Sequence, residues 1–171
     1  MQTKPIRVAA AVTAACLFLD GCAGYRLGST LPPDIKTIFI PTFLNQTPDP
    51  LIEVEATNRA ISEFQKDGTL QIASASTADV ILEVTIRELS LTPLRYAKAD
   101  KTTPNEYRMT LKASFVLKRA ATGKVMDENP NVIGEATFPY AGDMMSAKRT
   151  ALPRAAEDLG RRLVQSVVEA W

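Results

Sequence analysis

Two stretches of the chain alternate apolar and polar residues strictly enough to be read as half-buried strands. In ADVILEVTIRELSL, residues 78–91, Val80, Leu82, Val84 and Ile86 fall on one side and Glu83, Thr85 and Arg87 on the other. That period of two belongs to a strand with one wet face. NEYRMTLKASFVLKR, residues 105–119, repeats it with Tyr107, Met109, Leu111, Ala113, Phe115 and Leu117 inward and Arg108, Thr110, Lys112 and Ser114 outward. Ahead of these, IKTIFIPTFLN is rich in β-branched and aromatic residues and carries Pro41 near its end, which predicts an edge or terminating strand. Behind them, the turn AATGK leads to a fourth strand near VIGEATFPY, with DENP at 127–130 expected to separate it from Val125 and Met126.

Helical periodicity occurs twice. After Asp49, a candidate cap, and Pro50, a candidate first residue, Val54, Thr57, Ile61 and Phe64 recur at steps of three and four beside Ala60. Acidic Glu53 and Glu55 suit the positive end of that helix, and Gly68 supplies its stop. From about Thr150, Leu152, Ala156, Leu159, Leu163, Val167 and Trp171 form a second stripe flanked by Ala155 and Val164. Pro153 is tolerable there in a first turn. The expected fold is α+β: a small, mostly antiparallel four-stranded sheet with both amphipathic helices on one face, a two-layer sandwich.

The first 21 residues stand apart. Lys4 and Arg7 precede the apolar run VAAAVTAACLFL, which Asp20 ends too early for a membrane span of roughly 20 residues. Leu19-Asp20-Gly21-Cys22 resembles a bacterial lipobox, with Asp20 where such motifs hold a smaller residue. That resemblance implies cleavage before Cys22 and a lipid on it; a plain secretory signal, cut for example after Ala23, is the alternative. The organisation read from the sequence is a signal at 1–21, a Gly- and Pro-interrupted tether at 22–33 and one domain at 34–171. Cys16 lies within the signal, so a mature chain keeps one cysteine and no internal disulfide.

Composition narrows the chemistry. The chain holds 20 basic and 19 acidic residues, and loss of Lys4, Arg7 and Asp20 balances them, so nothing points to nucleic acid. It contains no histidine, the usual general base and the commonest zinc ligand. The acidic pairs Glu53/Glu55 and Asp127/Glu128 are better explained by a helix start and a turn. Neither catalytic residues, nor a metal site, nor a cofactor is expected.

Beyond periodicity, Cys22, Tyr25 and Leu27, then Ile38, Ile40 and Pro41, then Asn45 and Thr47, then Ala78 and Asp79 follow in an order that resembles the LPS-assembly lipoprotein family (LptE). The resemblance implies an outer-membrane lipoprotein that sits inside a large β-barrel partner of the lipopolysaccharide translocon (LptD-type), supports its assembly and helps lipopolysaccharide reach the cell surface. It also implies a small sheet with two helices on one face. The polar positions Thr85, Arg87, Arg108 and Thr110 are candidates to face the barrel lumen, although any sheet exposed on one side shows such a face. Arg95, with Lys98 and Lys101, and the group Lys118, Arg119 and Lys124 are candidate lipopolysaccharide contacts; ordinary solvated loop cations are the alternative. A lipid-anchored scaffold of another envelope complex is the second function class the sequence leaves open.

Overall fold

A computed structural model describes residues 31–96 and 102–168. The leader, Cys22, Tyr25, Leu27, Lys98, Lys101 and Trp171 lie outside the described residues. The elements are β1 (Thr37–Phe39), β2 (Leu44–Asn45), α1 (Ile52–Asp67), β3 (Gln71–Ile72), β4 (Val80–Tyr96), β5 (Pro104–Arg119), β6 (Val125–Pro139) and α2 (Met144–Val168). The strands form one sheet in the order β3-β1-β4-β5-β6, with β2 also paired to β4.

Among the described residues the sheet has six strands instead of the expected four, and its antiparallel meander is joined by parallel short strands. The long meander β4-β5-β6 is antiparallel, whereas β1 and β2 run parallel to β4 and β3 parallel to β1. Parallel pairing needs a crossover, and α1 supplies it between β2 and the later strands. The expected first strand, residues 35–45, is split because Pro41 cannot donate to a ladder. Phe39 pairs with Ile81 and Leu44 with Thr85, so one extra residue on the edge is spent between them.

Bulges set which side chains reach the core. Ile86 opposes Ala113 but Glu88 opposes Lys112, leaving Arg87 as the extra residue. Facing therefore slips by one, and the inward series passes from Ile86 to half-buried Leu89 and Leu91. On β6, Val132 opposes Ala113 and Asn129 opposes Phe115, which places a second bulge at Pro130 and Asn131. DENP thus lies within the strand instead of separating it from Val125 and Met126. An edge strand tolerates Pro130 where the ladder is already interrupted.

Both helices pack over the core side: α2 contacts β5, β6 and α1, and α1 contacts β2, β3 and α2. α1 buries Ile52, Ala56, Thr57, Ala60, Glu63 and Phe64. Val54, expected in the stripe, is 46% exposed, because the helix begins at Ile52 and turns that residue inward. Asp49 and Pro50 precede the helix, and Leu51 occupies the cap position in a left-handed conformation, φ 66°. Gly68, at φ 75°, ends it by donating to the Phe64 carbonyl over 3.0 Å. α2 starts earlier than expected: Asp143 Oδ1 accepts from the Met145 and Ser146 amides at 3.0 and 3.3 Å. Pro153 consequently lies inside the helix and removes the bond to the Arg149 carbonyl.

Small residues permit close layers. A Cβ on Gly134 of β6 would stand 2.5 Å from the Ala155 carbonyl oxygen and from the Leu159 amide and Cβ. At Gly160 the nearest atoms, the Glu63 Cγ and the Ala60 Cα, are 3.0 and 3.1 Å away, so α1 and α2 approach almost backbone to backbone.

Two polar clamps hold the short strands. Asp79 Oδ2 accepts from the Lys36 amide (3.0 Å), the Thr37 amide (2.9 Å) and Thr37 Oγ1 (2.7 Å), fixing β1 to the start of β4. Those amides and the Thr37 hydroxyl hold the Asp79 carboxyl below its ordinary value. Asn45 Nδ2 donates to the Asp49 carbonyl and to Glu53 Oε2, both at 2.8 Å, and Asn45 Oδ1 accepts from the Thr47 amide (2.9 Å) and hydroxyl (2.8 Å). Lys148 of α2 completes the loop through a 2.6 Å ion pair to Asp49.

Candidate functional site

The sheet has a second face, turned away from the helices and built by the long strands. Alternation puts Glu83 and Thr85 of β4 on it, with Arg108, Thr110 and Lys112 of β5 and Glu135 of β6, while their neighbours Val84 and Leu111 are buried in the core. Its charges are paired across strands. Lys118 reaches Glu83 (2.6 Å), Lys112 reaches Glu88 (2.9 Å), and Arg108 reaches Glu135 at 3.7 Å, where Thr110 also donates over 3.3 Å. Lys112 holds the Glu88 carboxyl below its ordinary value. Arg87, extruded by the bulge, donates from Nε to Ser114 Oγ at 3.0 Å and so satisfies a hydroxyl buried although it sits on this outer face.

Apolar side chains interrupt this face, which the sequence reading did not single out. Phe39 pairs with Ile81, and both share its parity with Val116 and Ile133. All four are half-buried and stand outside the cluster packed on the core. Leu44, opposite Thr85, is 59% exposed. The signal was present in the parity of Ile81 and Val116 within their own strands.

The two cation groups lie at opposite ends. Arg119 pairs with Val80 in the ladder, and Tyr96 with Pro104; at ~3.4 Å per residue the ends are roughly 50 Å apart. At the near end, Arg119 binds Asp34 at 2.7 Å, and that hydrogen bond keeps the Asp34 carboxyl below its ordinary value. Lys118 is engaged with Glu83, so among the described residues of this group only Lys124 makes no ion pair. At the far end, Arg95 binds Glu106 at 3.0 Å. A single head group cannot bridge both ends.

A further feature missed in the sequence lies on the helix side of the sheet. An apolar cleft of about 340 Å³ opens between the starts of both helices and the middle of the long strands. Leu51, Leu89, Met109, Met145 and Leu152 line it, with Lys148 and Arg149 at its rim. Leu51 and Met145 are 70% and 71% exposed. Among the described residues no three His, Cys, Asp or Glu converge to hold a metal ion, and no helix is long and apolar enough to cross a membrane.

A family model described as lipopolysaccharide-assembly, LptE, matches residues 35–167. The chain belongs to that family. The match continues through β5, β6 and α2, well past the residues whose order suggested it. No curated protein matches the LptE-family chain. Solved structures share its fold at low identity. A Xanthomonas campestris protein is 12% identical with a TM-score of 0.57, covering 82% of this chain and 88% of its own. A candidate lipoprotein from Caulobacter crescentus is 12% identical with a TM-score of 0.51, covering 74% and 87%. A minor lipoprotein from Acinetobacter baumannii is 11% identical with a TM-score of 0.50, covering 80% and 92%.

Proposed function

We propose that this LptE-family chain is a non-catalytic outer-membrane lipoprotein, held by lipid on Cys22, that plugs a large LptD-type β-barrel, assists its assembly and helps deliver lipopolysaccharide. The observation that carries the barrel reading is the outward sheet face. Its charges of both signs are already paired with each other, so a partner that partly dehydrates them leaves few orphaned ions. The interior of a large outer-membrane barrel is polar and wet, which such a face matches. Thr85, Arg87, Arg108 and Thr110 are the residues assigned to that contact.

Lipopolysaccharide contact fits the helix side of the sheet best. An apolar cleft for acyl groups lies there against the middle of the strands beside Arg149, whose neighbour Lys148 is held by Asp49, while Arg95, itself paired with Glu106, projects from the far end at 78% side-chain exposure. Lys118 and Arg119 are occupied by carboxylates, which leaves Lys124 as the near-end cation available to a phosphate. Affinity purification from detergent-solubilised membranes tests the function. A large barrel should co-purify in stoichiometric amount; recovery of a different envelope assembly, with no barrel, would transfer the assignment to a lipid-anchored scaffold.

A further inference from the structure

Among the described residues β6 is an edge of the sheet, with β5 as its one neighbouring strand. The Tyr140 amide donates to the Asn105 carbonyl of β5 over 2.9 Å. Alternation from that bond turns the backbone groups of Val132, Gly134, Ala136 and Phe138 toward β5, and those of Ile133, Glu135 and Thr137 outward. A row of open backbone groups accepts a further strand wherever it is continuous. On β6 it is interrupted at regular steps. Asn129 Oδ1 accepts from the Asn131 amide at 2.9 Å, and Pro139 has no amide to offer. Between those two stops, Asp158 of α2 reaches the edge and accepts the Glu135 amide on Oδ2 at 3.0 Å. Arg161 binds the other carboxylate oxygen at 3.0 Å, so the side chain is anchored from its own helix.

We propose that Asp158 is a latch on a strand-acceptor site, the β6 edge from Ile133 to Thr137, and that the occupant it shuts out is the same edge of a second copy of this chain. The stops at Asn131 and Pro139 lie equally far to either side of Glu135, so the window is symmetric about that residue, as a two-fold pairing requires. Two copies would then run antiparallel, with Ile133 of each opposite Thr137 of the other and roughly six backbone hydrogen bonds between them. A polar groove of about 460 Å³, lined by Asn131, Ile133, Asp158, Arg162 and Gln165, runs beside β6 and gives the added strand room. The Glu135 side chains that meet at the axis each have Arg108 at 3.7 Å, which moderates their repulsion. With Asp158 in place the ladder lacks its middle pair. Without it, all three outward positions are open in succession. The latch sets the copy number of the chain whether or not a barrel is its partner.

Sedimentation of the full chain in detergent, over a series of concentrations, tests the latch. Asp158→Ala should self-associate at least about tenfold more tightly than the natural chain, because the middle pair adds two backbone bonds. Asp158→Asn keeps an oxygen for the Glu135 amide and should behave as the natural chain does. Adding Thr137→Pro to Asp158→Ala removes an outward amide that no strand of the fold uses, an exchange an edge strand tolerates, and should restore the natural state. Tighter association that survives Thr137→Pro would overturn the proposal, since the copies would then meet through another surface. So would a folded Asp158→Ala that associates no more than the natural chain, or an Asp158→Asn that associates as Asp158→Ala does. Hydrogen exchange on the natural chain decides the matter where Asp158→Ala does not fold. The Glu135 amide should exchange at least about tenfold more slowly than the Thr137 amide, and equal rates would overturn the latch.

Discussion

Asp79 shows how a weak sequence feature acquires a physical cause. β1 is only three residues long and shares two register pairs each with β4 and β3, too little ladder to hold it alone. One carboxylate oxygen taking three donors makes up the deficit. Asp79→Ala should therefore lower the Tm by several degrees at pH 7 and loosen β1 in hydrogen exchange. The pH dependence follows from the depressed carboxyl. Its contribution is complete above the unfolded value, near 4, and is lost as pH falls through the lower folded value. The Tm gap between the natural chain and Asp79→Ala should hold from pH 7 to about 5 and narrow below about pH 3.5; a gap independent of pH would show that the carboxylate is not the clamp. Asn45 and Thr47 play the same part for the approach to α1, which explains an Asn-x-Thr pattern without a ligand.

At the scale of elements, alternation along β4 and β5 was legible because strictly periodic burial leaves a strictly periodic sequence. Val80 to Ile86 and Met109 to Leu117 face the core as the pattern predicts. What the pattern could not carry were features that break it. The bulge at Arg87 shifts facing by one, two-residue strands such as β2 and β3 have no measurable period, and Pro130 sits inside a strand only because the ladder is interrupted there. The start of α2 was hidden because Pro153 invited a first-turn reading, while the actual cap, Asp143, lies ten residues earlier. Close layer packing was equally silent, since Gly134 reads as any strand glycine. Gly134→Ala should cost about 2–3 kcal/mol, lowering the Tm by roughly 5–10 °C, because its Cβ would meet helix backbone that cannot rotate aside. A thermal melt within a degree of the natural chain would mean that α2 can lift from the sheet.

Across the whole molecule, the long meander separates a base beside Lys124 from a far end that carries Arg95, with the apolar cleft against the middle of the strands between them. The candidate cations, read in the sequence as one kind of site, are distributed between them. Charge and type were legible, whereas distance along a 17-residue strand was not, because the strand's length became visible only past Leu91, where alternation fades into exposed residues. The paired outward face lies between the two ends, and its proposed contact with a barrel wall makes a geometric prediction. Photo-crosslinkable residues at Thr85 and Thr110, half-buried and on that face, should link the chain to a large barrel, while the same residue at solvent-exposed Arg59 on the helix side should link less. Depleting the chain should lower the amount of correctly assembled barrel. Breaking one cross-strand pair, as in Lys112→Ala, should change stability by no more than about 1 kcal/mol because the pair is solvent-exposed. It should still weaken the barrel complex if dehydration leaves Glu88 unpaired against the wall. Undiminished barrel assembly after depletion, together with no barrel crosslinks from Thr85, Thr110 or any exposed position, would refute the plug and leave the paired face as an ordinary solvated sheet.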